Sequence, residues 1–336
     1  ERVDKGLAYV RAELDKLVEK GRLSADDRNR FSANLSGTLD LADFASCDWV
    51  IEAVFEEMKI KQDVFTRVEA VVREDCVLAT NTSSLSVDEI AKVLKHPERM
   101  VGFHFFNPVA VMPLLEVVKA PKSNDVSIAT AMKVAKDLKK TAVITSDSTG
   151  FVVNRLLGYL LGEAMRAVDE GIPFEEVADA IAPLGLPMNP FDLLELVGLQ
   201  VGAHVLDSMY GFSSERFYKT ESLHKLAKYG KIRTKDSKGN PTGYDPEAIK
   251  IVAGGTRKRT KEEVFEQLVE GLAKEIKLML DEGVVASAED IDLCMIMGAG
   301  WPFHLGGITP YLDRVGASQK VFGKNFHDPM IKGVSN

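Results

Sequence analysis

The chain has 336 residues, of which 45% are hydrophobic, and its formal net charge is −8 at pH 7. This length is sufficient for about two or three packed cores, and the interspersed charges of both signs exclude nucleic acid as an expected partner. The three cysteines have no CxxC or Cys/His spacing, which excludes a disulfide framework and a structural zinc and indicates a reducing compartment. No apolar segment reaches the length of a membrane span.

Residues 1–148 alternate between helical and strand patterns, and this alternation predicts an α/β domain with a parallel, doubly wound sheet and crossover helices. The strand candidates lie at 48–54, 76–81, 100–106, 114–118 and 141–146, and the helical patterns between them lie at 57–72, 86–94 and 125–139. Ser86 and Glu89 have the spacing of a capping box for the second of these helices.

A doubly wound nucleotide-binding sheet normally opens on a strand followed by GxGxxG, whose glycines let backbone N–H groups approach a pyrophosphate. The sequence contains no such motif. Its nearest equivalent, GAGWPF from Gly298, follows a helical pattern and is interpreted as a helix stop. We therefore expect a Rossmann-like sheet that lacks its first βα unit, as in an N-terminally truncated protein with impaired cofactor binding.

The pattern becomes helical from about Asp147 onward. Ser148 or Thr149 is placed to cap a long helix running from Gly150 to Glu170. Two later stretches share the same order of a helix ending on Asp-Glu-Gly, a Gly/Pro turn and a short helix before Val-Gly. This repetition predicts an internal duplication, with related all-α domains at 149–245 and 257–333.

A polar and basic stretch at 211–258 is expected to be a loop-rich connection. It overlaps two basic runs, at 225–238 and 256–261, which we interpret as solvated linker segments. The alternative is that one of them contacts an anionic ligand tail.

His104 and Glu116 are titratable residues within apolar strand patterns. The connection at 107–113 has a proline near each end, so the two strands can lie antiparallel with His104 facing Glu116. A buried carboxylate is costly unless it is paired. Glu116 would then fix the tautomer of His104 and leave its other nitrogen as a general base, an effect worth roughly 10²–10⁴ in rate. A purely structural ion pair is the alternative.

Further polar residues lie where a ligand would bind. Asn154 shares the apolar face of the long helix, and Ser83 follows a strand at the carboxyl end, where open α/β sheets bind ligands. Glu56 and Asn81 occupy matching carboxyl-end positions and are candidates for contacting a cofactor. The alternatives are a turn residue for Ser83 and a solvated helix start for Glu56 and Lys61.

Four segments, IEAVFEEMKIK, NTSSL, GFHFFNPVAVMPLLEVV and STGFVVNRLL, closely resemble the L-3-hydroxyacyl-CoA dehydrogenases. The duplicated helical half is similar to that of the multifunctional fatty-acid oxidation proteins. This resemblance implies NAD as the cofactor, an acyl-CoA substrate, and oxidation of an L-3-hydroxyacyl-CoA to the 3-ketoacyl-CoA in β-oxidation.

The resemblance also implies a role for each matching residue. His104 matches the catalytic base and Glu116 the carboxylate that orients it, while Ser83 and Asn154 match the residues that hydrogen-bond the substrate oxygen. The positions that match the lining of the NAD site are Glu56, Lys61, Asn81 and Asn107.

The family further implies a thiolase subunit or a self-oligomer as partner. We expect a cytoplasmic bacterial protein, with mitochondrial and peroxisomal locations left open. Two other functions stay open at this point. One is a non-catalytic acyl-CoA-binding or assembly module, and the other is a related dehydrogenase of hydroxy acids without CoA.

Overall fold

The structure is a computed structural model that describes residues 1–327. The end of the second predicted helical domain, 328–333, lies outside the described residues. Within 1–327 no helix is both long and apolar enough to cross a membrane.

The described part of the N-terminal region contains one five-stranded sheet in chain order. Its strands are β1 (Trp49–Glu52), β2 (Val77–Thr80), β3 (Met100–Phe105), β4 (Leu114–Lys119) and β5 (Thr141–Ser146). The strands β1, β2 and β3 are parallel, β4 is antiparallel to β3, and β5 is parallel to β4. The sheet is mixed because the connection between β3 and β4 is too short for the crossover that parallel strands need.

Five α-helices lie in the N-terminal region. They are α1 (Arg2–Glu19), α2 (Ala25–Ala33), α3 (Met58–Glu69), α4 (Val87–Ala91) and α5 (Asp125–Asp137). Of these, α3, α4 and α5 cover the two faces of the sheet. Strand residues point alternately to the two faces, so Leu78 packs in one core with α3 and α4, while Val77 and Ala79 pack in another with α5. This arrangement confirms the doubly wound, Rossmann-like sheet. The helices α1 and α2 bury no residue.

Ser86 caps α4 by accepting a hydrogen bond from the N–H of Glu89. The N–H groups of Val87 and Asp88 are bound by the carboxylate of Asp147, which lies after β5. A residue distant in sequence therefore completes the cap that the local pattern predicted only in part.

The remainder of the described chain is mainly helical. Its elements are α6 (Val153–Asp169), α7 (Phe174–Ile181), α8 (Pro190–Val197), α9 (Leu199–Phe212), α10 (Glu221–Tyr229), β6 (Arg233–Lys235), β7 (Pro241–Tyr244), α11 (Pro246–Val252), α12 (Lys261–Asp281), α13 (Ala288–Ala299), α14 (Ile308–Arg314) and α15 (Ala317–Phe322). The prediction of a loop-rich connection at 211–258 was wrong. Thr220 caps α10, Asp245 caps α11, and the β6–β7 hairpin lies between these helices.

The same order of elements occurs twice in this helical half. A long helix (α6 or α12), a second helix (α7 or α13), a 3-10 turn and a short helix (α8 or α14) follow one another in both stretches. One hydrophobic core contains residues of both, such as Leu160 of α6 and Leu272 of α12. The duplication, with domains at 149–245 and 257–333, stays a prediction that this order supports.

The basic run at 256–261 has no helix or strand before Lys261, where α12 begins, and is mostly exposed, but it is not solvated throughout. Arg259 is buried and pairs with Glu163 and Glu170 of α6 and its C-terminal end, while Arg257 pairs with Glu176 of α7. The run binds the segment before α12 to the first helical stretch through ion pairs.

Candidate active site

The strands β3 and β4 place His104 directly opposite Glu116, as the sequence predicted. His104 Nδ1 lies 2.7 Å from Glu116 Oε2, and the two residues are 5% and 0% exposed. An ionised carboxylate can only accept a hydrogen bond, so Nδ1 carries the proton in this contact. When the ring is neutral, Nε2 is left with a free lone pair that can accept a proton.

The other oxygen of Glu116 binds the start of α6. Glu116 Oε1 accepts hydrogen bonds from the N–H groups of Val152, at 3.1 Å, and Val153, at 3.2 Å. The prediction that Ser148 or Thr149 caps a helix starting at Gly150 was wrong, because the helix begins at Val153 without a capping side chain of its own. The carboxylate of β4 takes that position, and a helix N-terminus favours a negative charge there.

Two aromatic rings enclose His104. The ring of Phe106 lies 4.6 Å from the imidazole, measured between centroids, and the ring of Phe151 lies 5.6 Å from it. Phe151 has a positive φ of 47°, and Gly150 before it has a φ of 73°. These two residues turn the chain so that the first N–H groups of α6 reach Glu116. Sequence reasoning did not identify Phe151, since a left-handed phenylalanine has no sequence signal.

Asn154 and Ser83 lie next to each other, as expected for residues of one site. Asn154 Nδ2 donates a hydrogen bond of 3.2 Å to the carbonyl oxygen of Ser83. The hydroxyl of Ser83 donates to Glu56 Oε1 at 3.1 Å. The loop after β2 is therefore held between α6 on one side and Glu56 on the other.

Glu56 is the centre of this loop's hydrogen bonding. Its Oε1 accepts from the hydroxyl of Thr82 at 2.7 Å and from the N–H groups of Ser83, at 2.7 Å, and Ser84, at 3.1 Å. Burial by itself would raise the pKa of the Glu56 carboxyl, but the bonds from Thr82 and Ser83, together with the charge of Lys61, hold that pKa below its ordinary value. The charged carboxylate of Glu56 thus holds the loop after β2 in place through these hydrogen bonds.

Lys61 is completely buried between two carboxylates. Its Nζ lies 2.9 Å from Glu52 Oε1 and 3.2 Å from Glu56 Oε2. Glu52 also accepts a 2.6 Å hydrogen bond from the hydroxyl of Thr80. Sequence reasoning missed Glu52, although a carboxylate inside an apolar strand is the same signal that identified Glu116.

Asn81 and Asn107 occupy different surroundings. Asn81 Oδ1 accepts a 2.9 Å hydrogen bond from the N–H of Phe105, next to His104, and so joins the end of β2 to β3. Asn107 is exposed and makes no side-chain hydrogen bond to the described residues. The structure therefore links all the predicted site residues except Asn107 through hydrogen bonds or direct neighbours.

The groups at the carboxyl ends of β1, β2 and β3 are suited to an organic cofactor. The three strands are parallel, so their carboxyl ends lie side by side at the edge where open α/β sheets bind ligands. Glu56, Asn81 and Asn107 provide a carboxylate and two amides, which can bind ribose hydroxyls and a carboxamide. Within residues 1–327 no group of three or more His, Cys, Asp or Glu side chains is arranged to hold a metal ion.

The Rossmann-like domain with this edge is joined to a helical half whose first helix completes a buried His–Glu pair. This combination is typical of nicotinamide-dependent dehydrogenases. Residues 1–148 match the family model described as 3-hydroxyacyl-CoA dehydrogenase, NAD binding domain, and residues 150–242 match its C-terminal domain. The chain belongs to the 3-hydroxyacyl-CoA dehydrogenase family, a family of NAD-dependent oxidoreductases.

Individual relatives agree with this assignment. The chain is 34% identical to the fatty acid oxidation complex subunit alpha of Pseudomonas putida, over 96% of this chain and 47% of that protein. It therefore spans about half the length of the curated relatives it matches. Among solved structures, (S)-3-hydroxybutyryl-CoA dehydrogenase PaaH1 from Ralstonia eutropha is 30% identical, with a TM-score of 0.66 over 72% of this chain and 87% of that one.

One further solved structure shares the fold over almost the whole length of this chain. The 3-hydroxybutyryl-CoA dehydrogenase of Escherichia coli K12 has a TM-score of 0.76 over 97% of this chain and 89% of that one, at 23% identity. At this identity the likeness concerns the fold alone.

Proposed function

We propose that the complete protein oxidises L-3-hydroxyacyl-CoA thioesters to 3-ketoacyl-CoA thioesters with NAD⁺, in fatty-acid β-oxidation. The observation that carries this proposal is the buried contact of 2.7 Å between His104 Nδ1 and Glu116 Oε2. It leaves Nε2 of the neutral ring ready to take a proton. A carboxylate-oriented histidine of this kind is suited to removing a hydroxyl proton near neutral pH.

The residues of the site have separate roles in the proposed reaction. His104 Nε2 accepts the proton of the substrate hydroxyl, and Glu116 stabilises the imidazolium that results. Asn154 and Ser83, which adjoin each other, hold the substrate oxygen. NAD⁺, when bound, supplies the acceptor for the hydrogen that leaves C3 with its electron pair.

The cofactor is held by the carboxyl edge of the sheet. Glu56, Asn81 and Asn107 provide hydrogen-bonding groups there. Lys61 acts through Glu56, because its ammonium is buried against that carboxylate and Glu52. The loop after β2 joins this cofactor edge to the substrate side, since Ser83 contacts both Glu56 and Asn154.

The relatives named as subunits of a fatty acid oxidation complex suggest the setting. We extend the proposal to a cytoplasmic bacterial protein that assembles with a thiolase subunit, whose chemistry would consume the 3-ketoacyl-CoA product. Size-exclusion chromatography of the protein purified from its own cells, followed by mass spectrometry, tests this. Recovery of the protein as a single species without a thiolase would contradict the proposal of a thiolase partner.

The substrate class is tested by turnover of the complete gene product. We expect NADH oxidation with acetoacetyl-CoA and much slower oxidation with free acetoacetate. Calorimetry with acetoacetyl-CoA and with NADH is run in parallel. Binding of the thioester without turnover would instead indicate an acyl-CoA-binding module, and a preference for free acetoacetate would indicate a dehydrogenase of acids without CoA. Either result contradicts the proposal.

A further inference from the structure

Helix α13 of the second helical stretch packs directly against β4, which carries Glu116, and also against β5 and α6. Gly298, near the end of this helix, allows the close approach. A Cβ atom placed on Gly298 would lie 2.5 Å from Leu114 Cδ2, 3.0 Å from Val153 Cγ2 and 3.5 Å from Phe106 Cε1. Contacts under 3.0 Å are essentially never made by real Cβ atoms. Any side chain at this position therefore displaces a neighbour.

Each of these three neighbours is connected to His104 or Glu116, either along a strand, by a hydrogen bond or by a ring contact. Leu114 precedes Glu116 by two residues on β4 and points to the same face of the sheet. Val153 donates its N–H to Glu116 Oε1, and the ring of Phe106 packs on the ring of His104. A displacement of Val153 or Phe106 would therefore act on a direct neighbour of the pair, and a displacement of Leu114 would act on the strand that carries Glu116.

Cys294 lies one helical turn before Gly298, on the same face of α13. Its side chain is fully buried. Burial raises the pKa of the Cys294 thiol well above its ordinary value, and the nearby charge of Glu116 raises it further. The helix thus presents a neutral thiol and the bare backbone of Gly298 to the region of Glu116.

The second helical stretch also holds the first turn of α6 from the other side. Arg155 follows Asn154 and is fully buried. Its Nε pairs with Glu275 Oε1 of α12 at 2.5 Å, and its Nη2 pairs with Glu282 Oε2 at 2.7 Å. The turn that carries Asn154 and the N–H donors to Glu116 is therefore fixed between α12 and α13.

We infer that Gly298 is a positioning residue for the His104–Glu116 pair, and that α13 forms the inner wall of the catalytic site. The second helical stretch is then part of the catalytic apparatus as well as of the core. The kinetic consequence rests on the proposed function, whereas the geometric consequence, the hydrogen bond between His104 and Glu116, does not.

The test compares Gly298→Ala with Gly211→Ala. Gly211 is also a helical glycine, but a Cβ atom there would meet nothing within 4 Å. The readout is the NMR resonance of the His104 Nδ1 proton, assigned by its absence in His104→Gln. We expect this resonance to shift or broaden in Gly298→Ala and to remain unchanged in Gly211→Ala.

Kinetics of the complete protein supply a second readout. We expect kcat of Gly298→Ala to fall roughly 10- to 100-fold, as for a small misplacement of reacting groups, while KM for NADH stays within about twofold because the cofactor edge is not touched. Leu114→Val in the Gly298→Ala background removes the nearest methyl group and should restore part of kcat. A folded Gly298→Ala protein with unchanged resonance and unchanged kcat overturns the inference.

A second variant keeps the question decidable if Gly298→Ala does not fold. Val153→Ala removes the α6 side of the same contact without adding an atom, and Val177→Ala is its buried control in α7. We expect both to lose stability but only Val153→Ala to move the His104 resonance. Equal resonances in the two variants overturn the inference, whereas an inactive wild type with the expected resonance changes overturns only the proposed function.

Discussion

Replacing Glu116 by glutamine preserves the size of the side chain but leaves one acceptor oxygen where the structure uses two. The carboxylate accepts from His104 Nδ1 on one oxygen and from the N–H groups of Val152 and Val153 on the other. A glutamine that keeps its oxygen on α6 turns its NH₂ group toward His104. The imidazole must then accept at Nδ1 and carry its proton on Nε2, where it cannot act as a base.

The opposite orientation of the glutamine amide also leaves buried groups without a hydrogen-bond partner. It keeps the bond from His104 but directs an NH₂ donor at the two N–H donors of Val152 and Val153, which are then left unsatisfied in a buried site. We therefore expect the first orientation, with the histidine in the wrong tautomer. Loss of general-base catalysis lowers kcat by roughly 10²–10⁴, and loss of one charged hydrogen bond lowers the free energy of unfolding by about 1.5–3 kcal/mol.

Two assays check this expectation. Turnover of acetoacetyl-CoA with NADH gives kcat, and the ¹⁵N NMR spectrum of His104 reports which ring nitrogen carries the proton. Glu98→Gln, at a half-buried residue outside the site, is the control and should change neither. A Glu116→Gln protein whose kcat stays within about twofold of wild type, or whose His104 keeps its proton on Nδ1, refutes the reasoning.

Three further predictions concern stability. The pKa of Glu56 is lower in the folded state than in the unfolded chain, so its contribution to the free energy of unfolding is present above the ordinary pKa of 4.5 and is lost as pH falls below it. In urea unfolding, Glu56→Gln should reduce this loss of stability at acid pH. Burial raises the pKa of Asp292 to about 6, so stability should fall as pH rises from 3.8 to about 6, and Asp292→Asn should remove that fall in thermal unfolding measured across this range. Gly271→Ala in α12 should cost about 1–3 kcal/mol in urea unfolding, because its Cβ would lie 1.7 Å from Tyr159 Oη of α6, while Gly211→Ala should cost nothing.

The pairing of His104 with Glu116 was predictable because its geometry is local. The alternation of apolar residues identified both strands, and the short connection at 107–113 left an antiparallel hairpin as the only simple arrangement. The spacing of His104 and Glu116 within that hairpin then set them opposite each other. The sheet, its strand positions and its two helical layers followed from the same kind of pattern.

The start of α6 was not predictable in this way. Local rules pointed to Ser148 or Thr149 as its cap, but the acceptor is a carboxylate on β4, 36 residues before the N–H of Val152. A buried charge that must satisfy both a histidine and a helix N-terminus is visible only once the chain has folded. The positive φ of Phe151, which makes this contact possible, likewise depends on its buried surroundings.

The placement of α13 could not be predicted from the sequence. The GAGWPF segment was interpreted as a helix stop, and Gly300 does end α13 in a left-handed conformation. Gly298 has a different reason to be glycine, namely its approach to Leu114 and Val153 from elements far away in sequence. The helices at 221–229 and 246–252 were missed because short, polar helices whose stability comes from capping and tertiary packing have a weak periodic pattern.

The most direct test of the account is the kcat of His104→Gln in the complete protein, measured with acetoacetyl-CoA and NADH beside His96→Gln. His96 is an exposed histidine that also lies beside a glutamate, Glu98, and so serves as the matched control. We expect kcat to fall roughly 10²–10⁴-fold in His104→Gln and to be unchanged in His96→Gln. An unchanged kcat in a folded His104→Gln protein would contradict the assignment of His104 as the base.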